Sequence, residues 1–244
     1  MLLDSQHGEL HNANHVEVGS CGGPTVPLFP APWRLRGSGL VILTRAPLSQ
    51  LKADPAIPQH LRDNLKAPLN ILMLVNYAES DTGPYQELLF IPGTVQVGER
   101  RLPSISNIFV STESSVVNGR LNWGIPKYRC NFDWCKVAGD SGTEQSCIAA
   151  DINGQRFFEL SYDSSGLSIP VNTAWMPKLL KTLGQEWEGR QFIFSPSAKG
   201  RAKRATIRHL NVAAGVFPQI SAQQVVAAFE ITDFNMEFPV PQIL

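Results

Sequence analysis

Charge of one sign is missing from this 244-residue chain: 21 Lys and Arg balance 21 Asp and Glu. Without a basic excess there is no long-range pull toward nucleic acid or an anionic membrane. No apolar run approaches the roughly 18 residues that a membrane-crossing helix needs. The start, Met1-Leu2-Leu3-Asp4-Ser5-Gln6-His7, has no basic stretch followed by an apolar one, so no secretory signal is expected. Cysteine is scarce. Cys21, Cys130, Cys135 and Cys147 are the only four, and none sits in the Cys-x-x-Cys spacing of a zinc site. Reduced thiols in a cytoplasmic protein are the simplest reading. Internal repeats and low-complexity tracts are absent as well.

What is present suits one sizeable core. The chain is 43% hydrophobic, with 19 Gly and 18 Pro to punctuate it. Residues 1–26 read as a polar leader, and 27–244 as a single domain. Runs rich in Val, Ile, Leu and Phe predict strands over 38–45, 70–77, 85–91 and 105–111, and later over 129–137, 146–152, 156–162, 190–195, 203–213 and 229–240. Asn153-Gly154 signals a hairpin. Short helices are expected near 49–52 and 59–65, broken by Pro55 and Pro58, and one from Trp175 to Leu183. The stretch 221–228 suits either helix or strand. This pattern predicts an α+β protein, mainly antiparallel β, with a few peripheral helices.

Three candidate sites fail on their surroundings. His7, His11 and His15 would share one face of a helix, but Gly8, Asn12 and Asn14 are poor helix formers and no further ligand accompanies them. No metal site is therefore expected. The basic run Lys199-Gly200-Arg201-Ala202-Lys203-Arg204 has no aromatic platform beside it and reads as a solvated hairpin tip. Lys178, after Pro177, belongs to a helix start that explains both residues locally.

Lys127 is different. It closes the run Gly119-Arg120-Leu121-Asn122-Trp123-Gly124-Ile125-Pro126-Lys127. A free lysine is almost wholly ammonium at pH 7 and carries no lone pair. Burial in an apolar pocket penalises the ammonium and frees the amine for attack on a carbonyl. Pro126 fixes its own φ, Gly124 permits a turn, and Trp123 and Ile125 offer apolar walls. A surface lysine after an ordinary turn is the competing reading of the same residues.

Several segments resemble, in order, the acetoacetate decarboxylase family, over roughly residues 30–240. They are Pro32-Trp33-Arg34-Leu35-Arg36-Gly37, Gly39 to Arg45, Gly83-Pro84-Tyr85-Gln86-Glu87-Leu88, and Gly119-Arg120 followed by Gly124-Ile125-Pro126-Lys127. The resemblance implies a closed, cone-like β-barrel with flanking strands and helices, and an enzyme that works without metal or organic cofactor. It implies a lyase that decarboxylates a small 3-keto acid through an imine on Lys127, and a homo-oligomeric assembly. Glu87 would relay protons near the nitrogen, and Arg45 would grip the substrate carboxylate. Phe109, Trp123, Ile125 and Tyr128 would line the substrate pocket. From the residues alone, Glu87 also fits a rim carboxylate or structural salt bridge, and Arg45 a strand-end surface charge.

The family follows its imine lysine with a second lysine, and acetoacetate decarboxylase is the standard example of a lysine activated by a desolvated or cationic setting. Here the next residue is Tyr128, and residues 68–78 supply no acid. Two alternatives therefore stand beside decarboxylation. One is aldol or dehydration chemistry on another keto acid. The other is a barrel that binds a small carbonyl ligand without turnover.

Overall fold

The structure, a computed structural model, describes residues 26–139 and 142–244. The leader assigned to 1–26, with its three histidines and Cys21, lies outside the described residues except for Val26.

Strands β1 (Trp33–Thr44), β2 (Asn70–Glu79) and β3 (Tyr85–Ile91) lead into a separate hairpin, β4 (Gly93–Val97) and β5 (Arg100–Ser104). Next come β6 (Asn107–Val110), β7 (Lys127–Arg129), β8 (Asn131–Gly139), β9 (Gly142–Ala150) and β10 (Arg156–Asn172). Two further strands, β11 (Leu183–Trp187) and β12 (Arg190–Phe194), pair with β15 (Gln242–Ile243), while β13 (Ser197–Val212) and β14 (Val225–Phe238) rejoin the main sheet. Four helices are described: α1 (Leu48–Ala53), α2 (Gln59–Asn64), α3 (Glu113–Trp123) and α4 (Lys178–Lys181).

The main sheet has ten strands in the order β7-β6-β3-β2-β1-β14-β13-β10-β9-β8. Every adjacent pair is antiparallel except β6 and β7. The edge strands β7 and β8 are separated in the chain by Cys130 alone, so the sheet must curl until its two edges meet. The result is a nearly closed barrel, which brings the two edges close and limits their exposure.

Strand alternation gives this wall two apolar faces. One face collects side chains from all ten strands, among them Leu40, Ile42, Leu72, Leu88, Phe109 and Phe158, and is therefore the inside. Helices α1 and α2 close it with Leu51 and Leu61. The other face includes β1, β2, β3 and β6, where Leu35, Val75, Tyr85 and Ile108 form a second core against Trp123 of α3 and Phe192 of β12. Full burial of each large aliphatic side chain contributes about 1.5–3 kcal/mol relative to exposure.

Most predicted strands are found, and the ambiguous 221–228 resolves into a 3-10 turn at Ala222–Gln224 followed by β14. The 175–183 helix shrinks to α4, because β10 runs on to Asn172 and β11 begins at Leu183. The basic run at 199–204 lies inside β13 rather than at a hairpin tip. Helix α3, the β4–β5 hairpin and β11 are absent from the sequence reading. Among the described residues, no helix is long and apolar enough to cross a membrane.

Cys130 and Cys147 are buried and Cys135 is exposed, all three free. Burial pushes the Cys130 thiol up to about 12, and raises Cys147 and Tyr162 above their ordinary ranges. Groups raised in the folded state hold protons that the unfolded chain releases. Their stabilisation is complete below the ordinary thiol range and is lost as pH climbs toward 12. Unfolding midpoints in urea should hold steady to about pH 9 and fall steeply above it. Alkylation of native protein at pH 8, read by peptide mapping, should modify Cys135 and spare Cys130 and Cys147.

Candidate functional site

The outer core is where the lysine motif acquires its geometry. Helix α3 begins at Thr112, whose side chain accepts from the backbone N–H of Ser115 at 3.3 Å, and Glu113 adds an acid to the first turn. Ser115, Gly119 and Trp123 recur at four-residue spacing and turn one stripe of the helix toward the barrel wall. The helix ends at Gly124, in the left-handed conformation at φ 62°, with its N–H donating to the Arg120 carbonyl at 2.9 Å. Pro126 then centres a three-residue turn closed by the Lys127 N–H donating to the Ile125 carbonyl at 2.8 Å. This turn delivers Lys127 to the start of β7, opposite Ile108.

Gly119 and Arg120 hold the lysine from both ends. A Cβ on Gly119 would lie 2.6 Å from Lys127 Cδ and 2.8 Å from Cε, so the missing side chain is the channel for the lysine stem. Arg120 donates from its guanidinium to the Lys127 carbonyl at 2.5 Å and lies over the rings of Tyr128 and Trp187.

At the end of the stem, Nζ donates to Glu87 Oε2 and to Ser115 Oγ, each at 3.0 Å. Lys127 is 4% exposed and Glu87 3%. Tyr77 donates its hydroxyl to the second Glu87 oxygen, Oε1, at 3.0 Å. The Tyr85 ring lies 5.0 Å from Nζ and 4.5 Å from the Tyr77 ring. Burial, and after it the negative charge of Glu87, raises both phenols well above the ordinary tyrosine range. They therefore remain neutral hydrogen-bond donors at any physiological pH. Glu87 sits level with Val75 of β2 and Val110 of β6, which fixes its height on the wall.

Around this polar group lies a cavity of about 20 Å³ lined by Trp33, Leu35, Leu89, Ile105, Trp123 and Phe238, with Ile108 and Ile125 beneath. That is room for about one water molecule. Trp33 and Trp123 meet edge to face at 4.9 Å. Trp33 Nε1 donates to the Phe29 carbonyl and Trp123 Nε1 to that of Pro239. Asn118 and Asn122 clamp the entering segment by accepting from the Phe29 and Ala31 N–H groups.

The sequence-derived residues divide cleanly. Lys127, Glu87, Trp123 and Ile125 come together. Arg45 does not: it is exposed beyond the end of β1, its backbone tied to Gln224. The level of Glu87 on β1 is Gly39, through Val75, so Arg45 is six residues away, about 20 Å along the strand. Phe109 and Tyr128 point to the barrel inside, 5.8 Å apart and remote from the amine. The polar site itself faces outward, not into the barrel mouth. Ser115, Tyr77, Tyr85, Trp33 and Phe238 are site residues that the sequence reading missed. Among the described residues, no group of three His, Cys, Asp or Glu side chains is placed to hold a metal.

No family model matches the chain, and no curated protein matches it by sequence. Solved structures do match. Acetoacetate decarboxylase from Legionella pneumophila superposes with a TM-score of 0.67 at 14% identity, over 100% of this chain and 98% of its own. An acetoacetate decarboxylase-like enzyme from Sphingomonas wittichii RW1 gives 0.61 at 14% identity, over 89% and 94%. The enduracididine biosynthesis enzyme MppR gives 0.60 at 14% identity, over 94% and 97%. The chain thus has the acetoacetate decarboxylase fold.

The channel at Gly119 generates a direct test. Alanine is the better helix former by about 1 kcal/mol, yet its methyl would collide with a stem pinned at its far end. Gly119→Ala should cost about 1–3 kcal/mol in urea unfolding. Leu121→Ala, on the exposed side of α3, should change little. A more stable Gly119→Ala protein would contradict the packing described here.

Proposed function

We propose that this chain is an imine-forming lyase in which Lys127 is the nucleophile and Glu87 moves its proton. The observation that supports this reading is the amine itself. Among the described residues Lys127 is the one buried lysine, and its Nζ is 3.0 Å from a buried carboxylate. A buried ion pair is weak evidence for stability, since well-packed apolar residues do as well or better. Its chemistry is the better reason for its presence.

Starting from an ammonium and a carboxylate, Glu87 takes a proton from Lys127 as a carbonyl compound enters. The freed amine adds to the carbonyl carbon, and the π pair moves to oxygen. Glu87 returns the proton to that oxygen, then carries a second proton from the nitrogen to the resulting hydroxyl; water leaves, and a protonated imine stands opposite the regenerated carboxylate. The balance is carbonyl plus ammonium to iminium plus water. The iminium is an electron sink: a bond β to its nitrogen breaks because the electron pair falls into an enamine. Glu87 is within reach to remove or return the proton that accompanies this step. Ser115 holds Nζ by accepting a hydrogen bond, and the Tyr77 hydroxyl orients Glu87.

In this proposal the amine starts beside a carboxylate, not alone in an apolar pocket. The amine's proton has an acceptor in contact, so activation is a transfer within the pair rather than a standing absence of charge. The bond that breaks can lead to a carboxylate, a hydrogen or another carbon. Decarboxylation loses the specific support that Arg45 was expected to give it. A second reading, reversible carbonyl binding without turnover, is favoured by the cavity's size, since any ligand larger than water must displace part of its lining.

Incubation with small ketones or keto acids, followed by borohydride, should leave a stable alkyl adduct on the Lys127 peptide. Lys127→Ala should abolish it. Glu87→Gln should slow adduct formation by about 10²–10⁴-fold. In deuterated water an enzyme should exchange the α-hydrogens of a trapped ketone, whereas a binder gives adduct without exchange. No adduct with any carbonyl compound would refute both readings.

A further inference from the structure

Resting on the imine reading above, we infer that this site takes a small uncharged aldehyde or ketone rather than a keto acid anion. Of the residues that line the cavity, only Lys127 and Glu87 are charged, and they cancel. Imine formation with a neutral carbonyl leaves that balance untouched: an ammonium facing Glu87 becomes an iminium facing Glu87. A keto acid would add one negative charge, beside an existing carboxylate, in a space walled by tryptophan, phenylalanine and aliphatic side chains. An unpaired buried charge is heavily penalised, and a like charge close by adds to the penalty.

Among the described residues, no second cation lines the cavity to meet that charge. Arg34 and Arg36 alternate with Trp33 and Leu35 along β1, so they project to the opposite side. There, with Lys199, they border a surface groove of about 340 Å³ that shares only Leu35 with the cavity, and Arg36 faces Glu79 at 3.3 Å. Arg45 lies beyond Thr44 at the far end of the strand. Arg120 directs a donor at the Lys127 carbonyl and is not among the cavity-lining residues. The phenols that line the cavity are those of Tyr77 and Tyr85, and the Ser115 hydroxyl adjoins the amine. These suit the oxygen of a neutral carbonyl, or of the carbinolamine formed from it, which asks for one hydrogen bond and brings no charge. With such substrates the bond broken next to the imine is C–H or C–C, as in enamine formation and aldol cleavage, and no carbon dioxide is released.

The test is trapping by borohydride on the full chain with pairs matched in size: 3-methyl-2-butanone against pyruvate, and 4-methyl-2-pentanone against acetoacetate. Each is normalised to the imine formation of the same compound with free butylamine. Half-saturation should fall at concentrations about 100-fold lower for the ketones, the scale expected for one uncompensated buried charge. Keto acids that trap as well as, or better than, their ketones would overturn the inference and leave the imine standing. No adduct from any of the four would overturn the imine reading itself. In Glu87→Gln the iminium loses its anion, so the adducts at equilibrium should shift toward the keto acids. A preference unchanged in that variant would remove the electrostatic basis of the inference. If the variant does not fold, the comparison in the unmodified protein still decides.

Discussion

An ammonium and a carboxylate buried together, and cancelling, are the constraint around which this outer core is arranged. Neither group is tolerable there alone. Lys127 enters from the start of β7 and Glu87 from within β3, so the contact joins two strands separated in the sheet by β6. One carboxylate oxygen accepts from Tyr77 and the other from the amine, which also donates to Ser115. That satisfaction of donors and acceptors is what makes a buried polar group sustainable. The surrounding tryptophans and Phe238 keep the dielectric low, which sharpens every electrostatic effect in the pair.

The lysine motif is best understood as one mechanical unit. Gly119 leaves the channel, Arg120 grips the carbonyl of the residue it serves, Gly124 turns the helix off, and Pro126 tightens the approach to β7. Each has a local physical reason, and each reason concerns Lys127. The same helix carries Ser115 to the amine on one stripe and Asn118 and Asn122 to the entering segment on another. A single element thus sets the amine, its hydrogen-bond partner and part of the roof.

Much of the architecture was legible in the sequence, because the β-rich segments are long and bounded by turn residues. Helix α3 was not. Glu-Ser-Ser-Val-Val-Asn-Gly-Arg-Leu-Asn-Trp has no apolar stripe at helical spacing, and two β-branched valines and a glycine argue against a helix. Its cap at Thr112 and its tertiary contacts decide the matter. In the site, Lys127 and Glu87 were legible through their motifs. Tyr128 was a readable error: the next residue along a strand points to the other face. Phe109 needed the parallel register of β6 and β7 to be placed correctly. Arg45 failed because a motif tells that a residue is on a strand but not at what height the partner strands deliver the chemistry.

The central claim is that Lys127 and Glu87 form one buried unit whose charges depend on each other. A double-mutant cycle in unfolding free energy, with Lys127→Met, Glu87→Met and the two combined, tests it most directly. Each single change should cost about 3–5 kcal/mol by stranding the other charge, and the double variant should be more stable than either. Losses that simply add, or a Lys127→Met protein as stable as the original, would contradict the account.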